Sequence, residues 1–244
     1  MFFFSKTKPY LKALIEGYVD IHSHLLPGID DGAKDFETTV SLIDALKEIG
    51  FSQFTATPHV IKNIWDNSRD GIQNLTHQTV ERLHAQGEES PFRAAAEYMM
   101  DDSFSRLLET EPLLTIKDNF VLVEMSYINP PMQLYDIVFE IRLAGYQPIL
   151  AHPERYLFYH SNFEEYKKLK KAGCLLQLNL LSSVGYYGSS VANIAQQLLE
   201  KGLIDCTGSD VHHENHIRSF EKKTVVKATE ALREAIRNND QFKF

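Results

Sequence analysis

The chain has 244 residues, 43% of them hydrophobic, and a formal net charge of −8 with histidine neutral. That length suits one large α/β domain or two small ones and allows a sizeable core. The acidic balance argues against a general nucleic-acid or anionic-membrane binder, and it fits a metal enzyme whose carboxylates are neutralised by bound cations.

The first 17 residues, MFFFSKTKPYLKALIEG, read as an amphipathic N-terminal arm. Three Phe before Ser5, Lys6 and Lys8 are too few for a signal-peptide core or a membrane span, so no integral span is predicted and a cytoplasmic location is the default. A peripheral membrane contact through Phe2, Phe3 and Phe4 is the alternative for this arm. No repeat, low-complexity tract or Pro/Ser-rich linker follows, so residues 18–244 read as a single domain. YVDIH at 18–22 is a short β-rich run. A Gly/Asp turn leads to a helix over 36–49, where Val40, Ile43, Leu46 and Ile49 recur beside Leu42 and Gly50 takes the C′ position. FTATPH at 54–59 is the next strand. A helix over 69–86 puts Ile72, Leu75, Val80 and Leu83 on one face and stops at Gly87.

The alternation continues with strands FRAAAE and FVLVEMS (120–126), a helix over 133–144, and the strand QPILAH at 147–152. A helix ending near Gly173, the strand CLLQLNL at 174–180 and a helix ending at Gly202 come next. LIDCTGSD at 203–210 is the last strand, and a charged helix over 217–238 closes the chain. Seven βα-like units predict a parallel (β/α) barrel or a closely related layered sheet. Cys174 and Cys206 sit in apolar strand registers outside any CxxC, which predicts buried free thiols and a reducing compartment. The basic run KKLKK at 167–171 reads as a solvated helix face.

The polar residues fall where chemistry is expected. His22, His24, His59, Glu97, Glu124, His152 and Asp210 all lie at the C-terminal ends of predicted strands, the barrel face that carries active sites. His22 and His24, like Asp210 and His212, are two apart, so in an extended segment both side chains of each pair face one way. Carboxylates and imidazoles gathered at apolar strand ends with few cations nearby would repel one another, and desolvating them unpaired is costly; a polynuclear metal site resolves both problems. Mixed His and carboxylate ligation without thiolate suits Mn2+, Fe2+ or Zn2+. Close cations of this kind serve phosphoester hydrolysis by generating hydroxide and stabilising the attacking and leaving oxygens. Neither cysteine has an arginine at CxxxxxR spacing, which excludes a thiol-nucleophile phosphatase.

In order, the motifs DIHSH, DDG, TPH, AAE, LVEMS, AHPERY and GSDVHH resemble the PHP (polymerase and histidinol phosphatase) superfamily. Within it, HSHxxPxxDDG and xAHPERY look most similar to the bacterial manganese-dependent protein-tyrosine phosphatases of capsule and exopolysaccharide operons. The likeness runs from Tyr18 to Phe220. It implies a PHP-type distorted (β/α)7 barrel with two or three divalent ions, Mn2+ first and Fe2+ or Zn2+ as alternatives. By position, His22, His24, Glu97 and Asp210 would hold the first ion. Glu97 would bridge to a second, held also by Glu124 and His152, and Asp31, His59 and His212 would hold the third. Asp31 rather than Asp30 matches because it directly precedes Gly32. Arg155 corresponds to the substrate-phosphate arginine, and Arg218 stands as a second one, although its spacing after SDVHH is longer than the pattern.

The resemblance also implies one-step hydrolysis of protein phosphotyrosine by a metal-bridging hydroxide, with Arg155 neutralising phosphoryl oxygens. Phenolate leaves well (Tyr pKa about 10), so a strong general acid is not required. The physiological partner would be a bacterial tyrosine kinase controlling capsule or exopolysaccharide synthesis; nucleic acid is not expected, and the oligomeric state is left open. Trp65, in the segment after His59, either stacks on the phosphotyrosine ring or packs its loop onto the barrel. Tyr127, with Asn129, Pro130 and Pro131, is expected at the same entrance, and Tyr186 and Tyr187 at its rim. The rivals are a small-molecule phosphatase of histidinol-phosphate type, a PHP-type nuclease, and a non-catalytic binding module, the last disfavoured because every ligand position is filled.

Overall fold

A computed structural model describes residues 8–244, and the Phe2–Phe4 membrane contact lies outside them. Strand β1 (Tyr18–Ser23) is buried along its whole length, as a parallel strand covered on both faces should be. Helix α1 (Phe36–Ile49) follows. The Asp35 side chain accepts the Thr38 N–H at its start, and Gly50, in the left-handed region at φ +118°, donates to Leu46 and Lys47 carbonyls at its end. A Cβ on Gly50 would stand 2.0 Å from the Ile15 carbonyl oxygen. Gly50→Ala is therefore expected to destabilise the fold by about 2–3 kcal/mol, read as a lower urea midpoint at unchanged m value; an unmoved midpoint would contradict this.

The remaining strands are β2 (Phe51–Ala56), β3 (His59–Val60), β4 (Phe92–Ala94), β5 (Glu97–Met99), β6 (Phe120–Glu124), β7 (Gln147–Ala151), β8 (Leu175–Asn179) and β9 (Cys206–Gly208). All pair in parallel, giving a mixed α/β fold with one sheet in the order β1-β2-β4 and another in the order β3-β5-β6-β7-β8-β9. Two strands expected to be continuous are broken. Residues 54–59 divide into β2 and β3 at Thr57 and Pro58, where proline has no N–H to give a ladder. Residues 92–97 divide into β4 and β5 at Ala95 and Ala96. Hydrogen bonds cross both breaks: Ala95 N–H donates to Ala56 O at 2.8 Å and Glu97 N–H to Pro58 O at 3.0 Å. On the other side of β1, Asp210 N–H donates to His22 O (2.8 Å) and His24 N–H to Val211 O (3.0 Å).

A small apolar cluster on the strands includes Val19, Ile21, Ala95, Leu122, Ile149, Cys206 and Phe242. Ala95 and Leu122 stand two residues before Glu97 and Glu124, so those carboxylates continue the same strand face toward the strand ends. The larger core packs strands against helices α2 (Arg69–Ala85), α3 (Asp102–Thr110), α4 (Leu134–Leu143), α5 (Glu164–Ala172), α6 (Ser189–Glu200), α7 (Glu214–Ser219) and α8 (Thr229–Asn238). Helix α3 was not expected: Phe104 is its only fully buried residue, too little for a periodic signal, and its start is set by Asp101 accepting from Ser103 and Phe104 N–H groups.

The single charged helix expected over 217–238 is α7 and α8 with an irregular stretch between them. There Thr224 N–H donates to Pro9 O and Val225 N–H to Ser183 O, so β-branched Thr224, Val225 and Val226 bond to neighbouring segments instead of continuing a helix. The described part of the N-terminal arm is packed in. Leu11, Leu14 and Ile15 are buried in the larger core, and Leu11 and Lys12 donate to Lys222 and Phe220 carbonyls. Among the described residues no helix is long and apolar enough to cross a membrane. Cys174 and Cys206 are free and buried.

Candidate metal centre

Glu97, at the start of β5, sits among four imidazoles. Its Oε2 lies 3.3 Å from His22 Nε2, 3.4 Å from His24 Nε2 and 3.2 Å from His59 Nδ1, and its Oε1 lies 3.1 Å from His152 Nε2. Asp210 Oδ1 is 3.2 Å from His22 Nε2 and 3.4 Å from His24 Nε2. Glu124 Oε1 lies 2.9 Å from His59 Nδ1. Asp31, the one strongly exposed member at 57%, has Oδ1 3.6 Å from His59 Nε2 and 3.5 Å from His212 Nε2.

The structure thus brings all nine expected ligands together, in four overlapping sets whose donor atoms lie within 4.8 Å of one another: His24, Asp31, His59 and His212; His22, Glu97 and His152; His22, His24 and Asp210; His59, Glu97 and Glu124. These sets divide the residues differently from the resemblance. His59 faces both Asp31 and the Glu97–Glu124 pair, and His152 lies beside His22 and Glu97.

The donor set fits divalent cations. His59 Nδ1 lies close to Glu97 Oε2 and Glu124 Oε1, yet none of these three buried atoms is aligned for a hydrogen bond among the described residues, an arrangement that is costly unless a cation satisfies them. The titration behaviour shows how strongly these groups interact. Burial works against the His22 imidazolium, but Glu97 and Asp210 raise it to about 10. Burial raises the Glu97 carboxyl, yet His22 and His59 hold it well below the usual range. Glu124 is pushed up to about 7, by burial first and by Glu97 next. His152 is brought down to about 4 by burial and Arg155, which keeps it in the neutral form that ligates metals.

An outer layer orients the imidazoles. His22 Nδ1 lies 3.1 Å from Gln177 Oε1, and His24 Nδ1 lies 2.7 Å from Asp30 Oδ2. Asp30 also accepts the Gly32 and His59 N–H groups at 3.0 and 3.2 Å. Gly32 has a packing reason in this turn, since a Cβ there would lie 2.1 Å from His24 O. The DDG motif therefore divides its work: Asp31 faces the cluster, Asp30 orients His24, and Gly32 lets the backbone approach. Gln177→Leu is expected to weaken divalent-metal binding about 10–100-fold, measured by titrating the stripped protein; unchanged affinity would count against the role of Gln177. Two residues of the cluster occupy the left-handed region without being glycine, His152 at φ 37° and Asp210 at φ 52°, strain of the kind found at functional sites.

Arg155 follows β7 and reaches the cluster. Its Nη1 donates to Asp210 Oδ2 at 2.7 Å, and its guanidinium lies 4.8 Å from the Tyr127 ring centre and 4.2 Å from that of Tyr187. The Tyr127 ring stacks on His152 at 5.7 Å, which places Tyr127 beside the cluster. Asn179 Nδ2 donates to the same Asp210 oxygen at 2.8 Å and to Tyr187 Oη at 3.1 Å. Arg218 is not brought to the cluster. It lies on the outer face of α7, 72% exposed, paired with Glu214 at 3.1 Å. Trp65 is half-buried in a hollow shared with Tyr98, Phe104 and Leu107, which none of the nine ligands lines. Sequence reasoning missed Asp30, Gln177 and Asn179. A signal existed for the last two, which interrupt the apolar strand CLLQLNL two residues apart.

Comparison with known proteins gives a consistent picture. The family described as capsular polysaccharide synthesis, CpsB/CapC, matches residues 18–236. Tyrosine-protein phosphatase YwqE of Bacillus subtilis (strain 168) is 26% identical over 196 residues, which cover 80% of this chain and 77% of that protein. Tyrosine-protein phosphatase CpsB of Streptococcus pneumoniae is 26% identical over 202 residues, covering 80% and 83%. A crystal structure from work on YwqE of Bacillus subtilis and CpsB of Streptococcus pneumoniae, described as unique metal-dependent tyrosine phosphatases, matches with a TM-score of 0.75. It is 25% identical, and the match covers 90% of this chain and 94% of that one.

Proposed function

We propose, from the premise that this chain belongs to the CpsB/CapC family of capsular polysaccharide synthesis, that it is a metal-dependent phosphatase of protein phosphotyrosine. The observation that carries this reading is Glu97, one buried carboxylate shared by four imidazoles, with Glu124 and Asp210 beside it. Such a donor set suits two or three divalent ions, with Mn2+ the first candidate and Fe2+ or Zn2+ behind it. When bound, the ions supply Lewis acidity at the phosphoryl oxygens and a nucleophile at neutral pH. Support for a closed, distorted (β/α)7 barrel comes from the bonds of Asp210 to His22 and His24 to Val211, which join the last strand region to the first.

The chain's own residues bind and orient. Arg155 is held against Asp210 and between Tyr127 and Tyr187, where a planar, permanently charged fork can take two phosphoryl oxygens of an entering monoester. Tyr127 offers an aromatic edge to a substrate ring beside His152. The ligands His22, His24, Asp31, His59, Glu97, Glu124, His152, Asp210 and His212 and the phosphate contact Arg155 form the working site of this reading, and Arg218 and Trp65 stand outside it.

The substrate is a phosphotyrosine protein, with a bacterial tyrosine kinase of capsule or exopolysaccharide synthesis as the physiological partner. Cytoplasmic location is supported by the two free, buried thiols. The test compares initial rates on a phosphotyrosyl peptide, a phosphoseryl peptide and histidinol phosphate. Preference for phosphotyrosine is expected; preference for histidinol phosphate would keep the metal centre and overturn the substrate.

A further inference from the structure

Beside the metal centre an open groove of about 610 Å³ runs between the 61–64 and 126–133 segments. Its floor grows out of the ligand-bearing strands: Ile61, Met99 and Ser126 line it and stand two residues after His59, Glu97 and Glu124. Across the β5–β6 ladder Met99 is paired with Glu124. Two residues of extended chain rise about 7 Å, so the groove begins about one side chain's length from the ligands. Ile64 and Met132, from two different segments of its lining, are large apolar side chains 68% and 95% exposed. Met99 and Met100 also line it, and methionine is a flexible side chain suited to adaptable binding surfaces.

The charges at the groove do not favour one sign. Asp101 is engaged in capping α3, Lys62 pairs with Asp66 at 3.0 Å, and Arg106 and Asp102 oppose each other in charge. Positive and negative groups thus balance, and the exposed apolar side chains Ile64 and Met132 stand among uncharged polar neighbours such as Asn63, Asn129 and Gln133. A phosphotyrosine whose phosphate reaches the cluster carries its main chain across the rim around it, and this groove continues the strands that bear His59, Glu97 and Glu124, which makes the substrate polypeptide the occupant that continuity with the site calls for.

We infer that this groove docks the substrate segment flanking the phosphotyrosine and takes an apolar side chain from it. The inference rests on the phosphotyrosine reading and names what surrounds the target residue. The test uses the full-length protein loaded with Mn2+ and the double variant Ile64→Asp, Met132→Asp, both positions being exposed. Three probes are compared: p-nitrophenyl phosphate, a phosphotyrosyl peptide flanked by leucines, and the same peptide flanked by serines. The wild type is expected to favour the leucine peptide by about 10-fold in kcat/KM, mainly through KM. The variant is expected to lose that preference and to keep its rate on p-nitrophenyl phosphate. Equal wild-type rates on the two peptides, with p-nitrophenyl phosphate turned over, would overturn the groove and leave the phosphatase reading standing. No wild-type turnover of p-nitrophenyl phosphate would overturn both. Kept peptide preference in the variant, with a dimer lost by light scattering, would assign the face to a second copy and overturn the inference.

Discussion

Glu97→Gln is expected to lower phosphotyrosine turnover by on the order of 10³-fold and to reduce the number of divalent ions held per chain. The amide keeps the shape of the side chain and removes the charge that four imidazoles share, so the effect reports on ligation rather than packing. Both Glu97 oxygens are committed, Oε2 toward His22, His24 and His59 and Oε1 toward His152. An uncharged amide, with one donor nitrogen in place of an oxygen, would hold divalent cations far less well than the carboxylate. The metal-free variant is expected to lose some stability as well, because His22 and His59 hold the Glu97 carboxyl well below its usual range, so the readout is the rise in Tm on adding metal and not Tm itself. The variant should lose most of the metal-induced rise in Tm that a ligand binding only the folded state produces. Activity within about 10-fold of wild type would contradict a central bridging role for Glu97.

Arg155→Ala is expected to lower kcat/KM for a phosphotyrosyl peptide by about 10²–10³-fold while the bound metal stays at the wild-type number. The guanidinium is poised by Asp210 and the two tyrosine rings, so it contributes fixed positive charge where phosphoryl oxygens gather. Arg155→Lys should recover only part of the loss, since an ammonium is a point charge without the planar fork. A fall in metal content in Arg155→Ala would instead make the residue an orienting partner of the ligand Asp210, and unchanged kinetics would remove it from the site.

The clustering of the expected ligands was legible because most of them close an apolar run, and a parallel strand fixes where its last side chain points. Helix α1 was equally legible, with the Asp35 cap and Gly50 stop written locally. The outer layer was harder to read. Gln177 meets His22 across 155 positions of sequence, and Asp30 differs from Asp31 only in which way one turn residue faces. The sequence also carries no sign that the two nitrogens of His59 face different carboxylates. Arg218 shows the limit of motif spacing: its place after SDVHH put it near the site in sequence, but α7 turns it outward to Glu214. The charged C-terminal run looked continuous because hydropathy carries no record of Thr224 and Val225 bonding to Pro9 and Ser183.

The most direct measurement is the metal content of the purified protein by elemental analysis, taken together with phosphotyrosyl-peptide turnover before chelation, after it, and after Mn2+ is restored. At least two divalent ions per chain are expected, with activity lost on stripping and regained with Mn2+, and fewer ions in Glu97→Gln. Full turnover by metal-free protein, or a stripped chain that takes up no divalent ion, would contradict this.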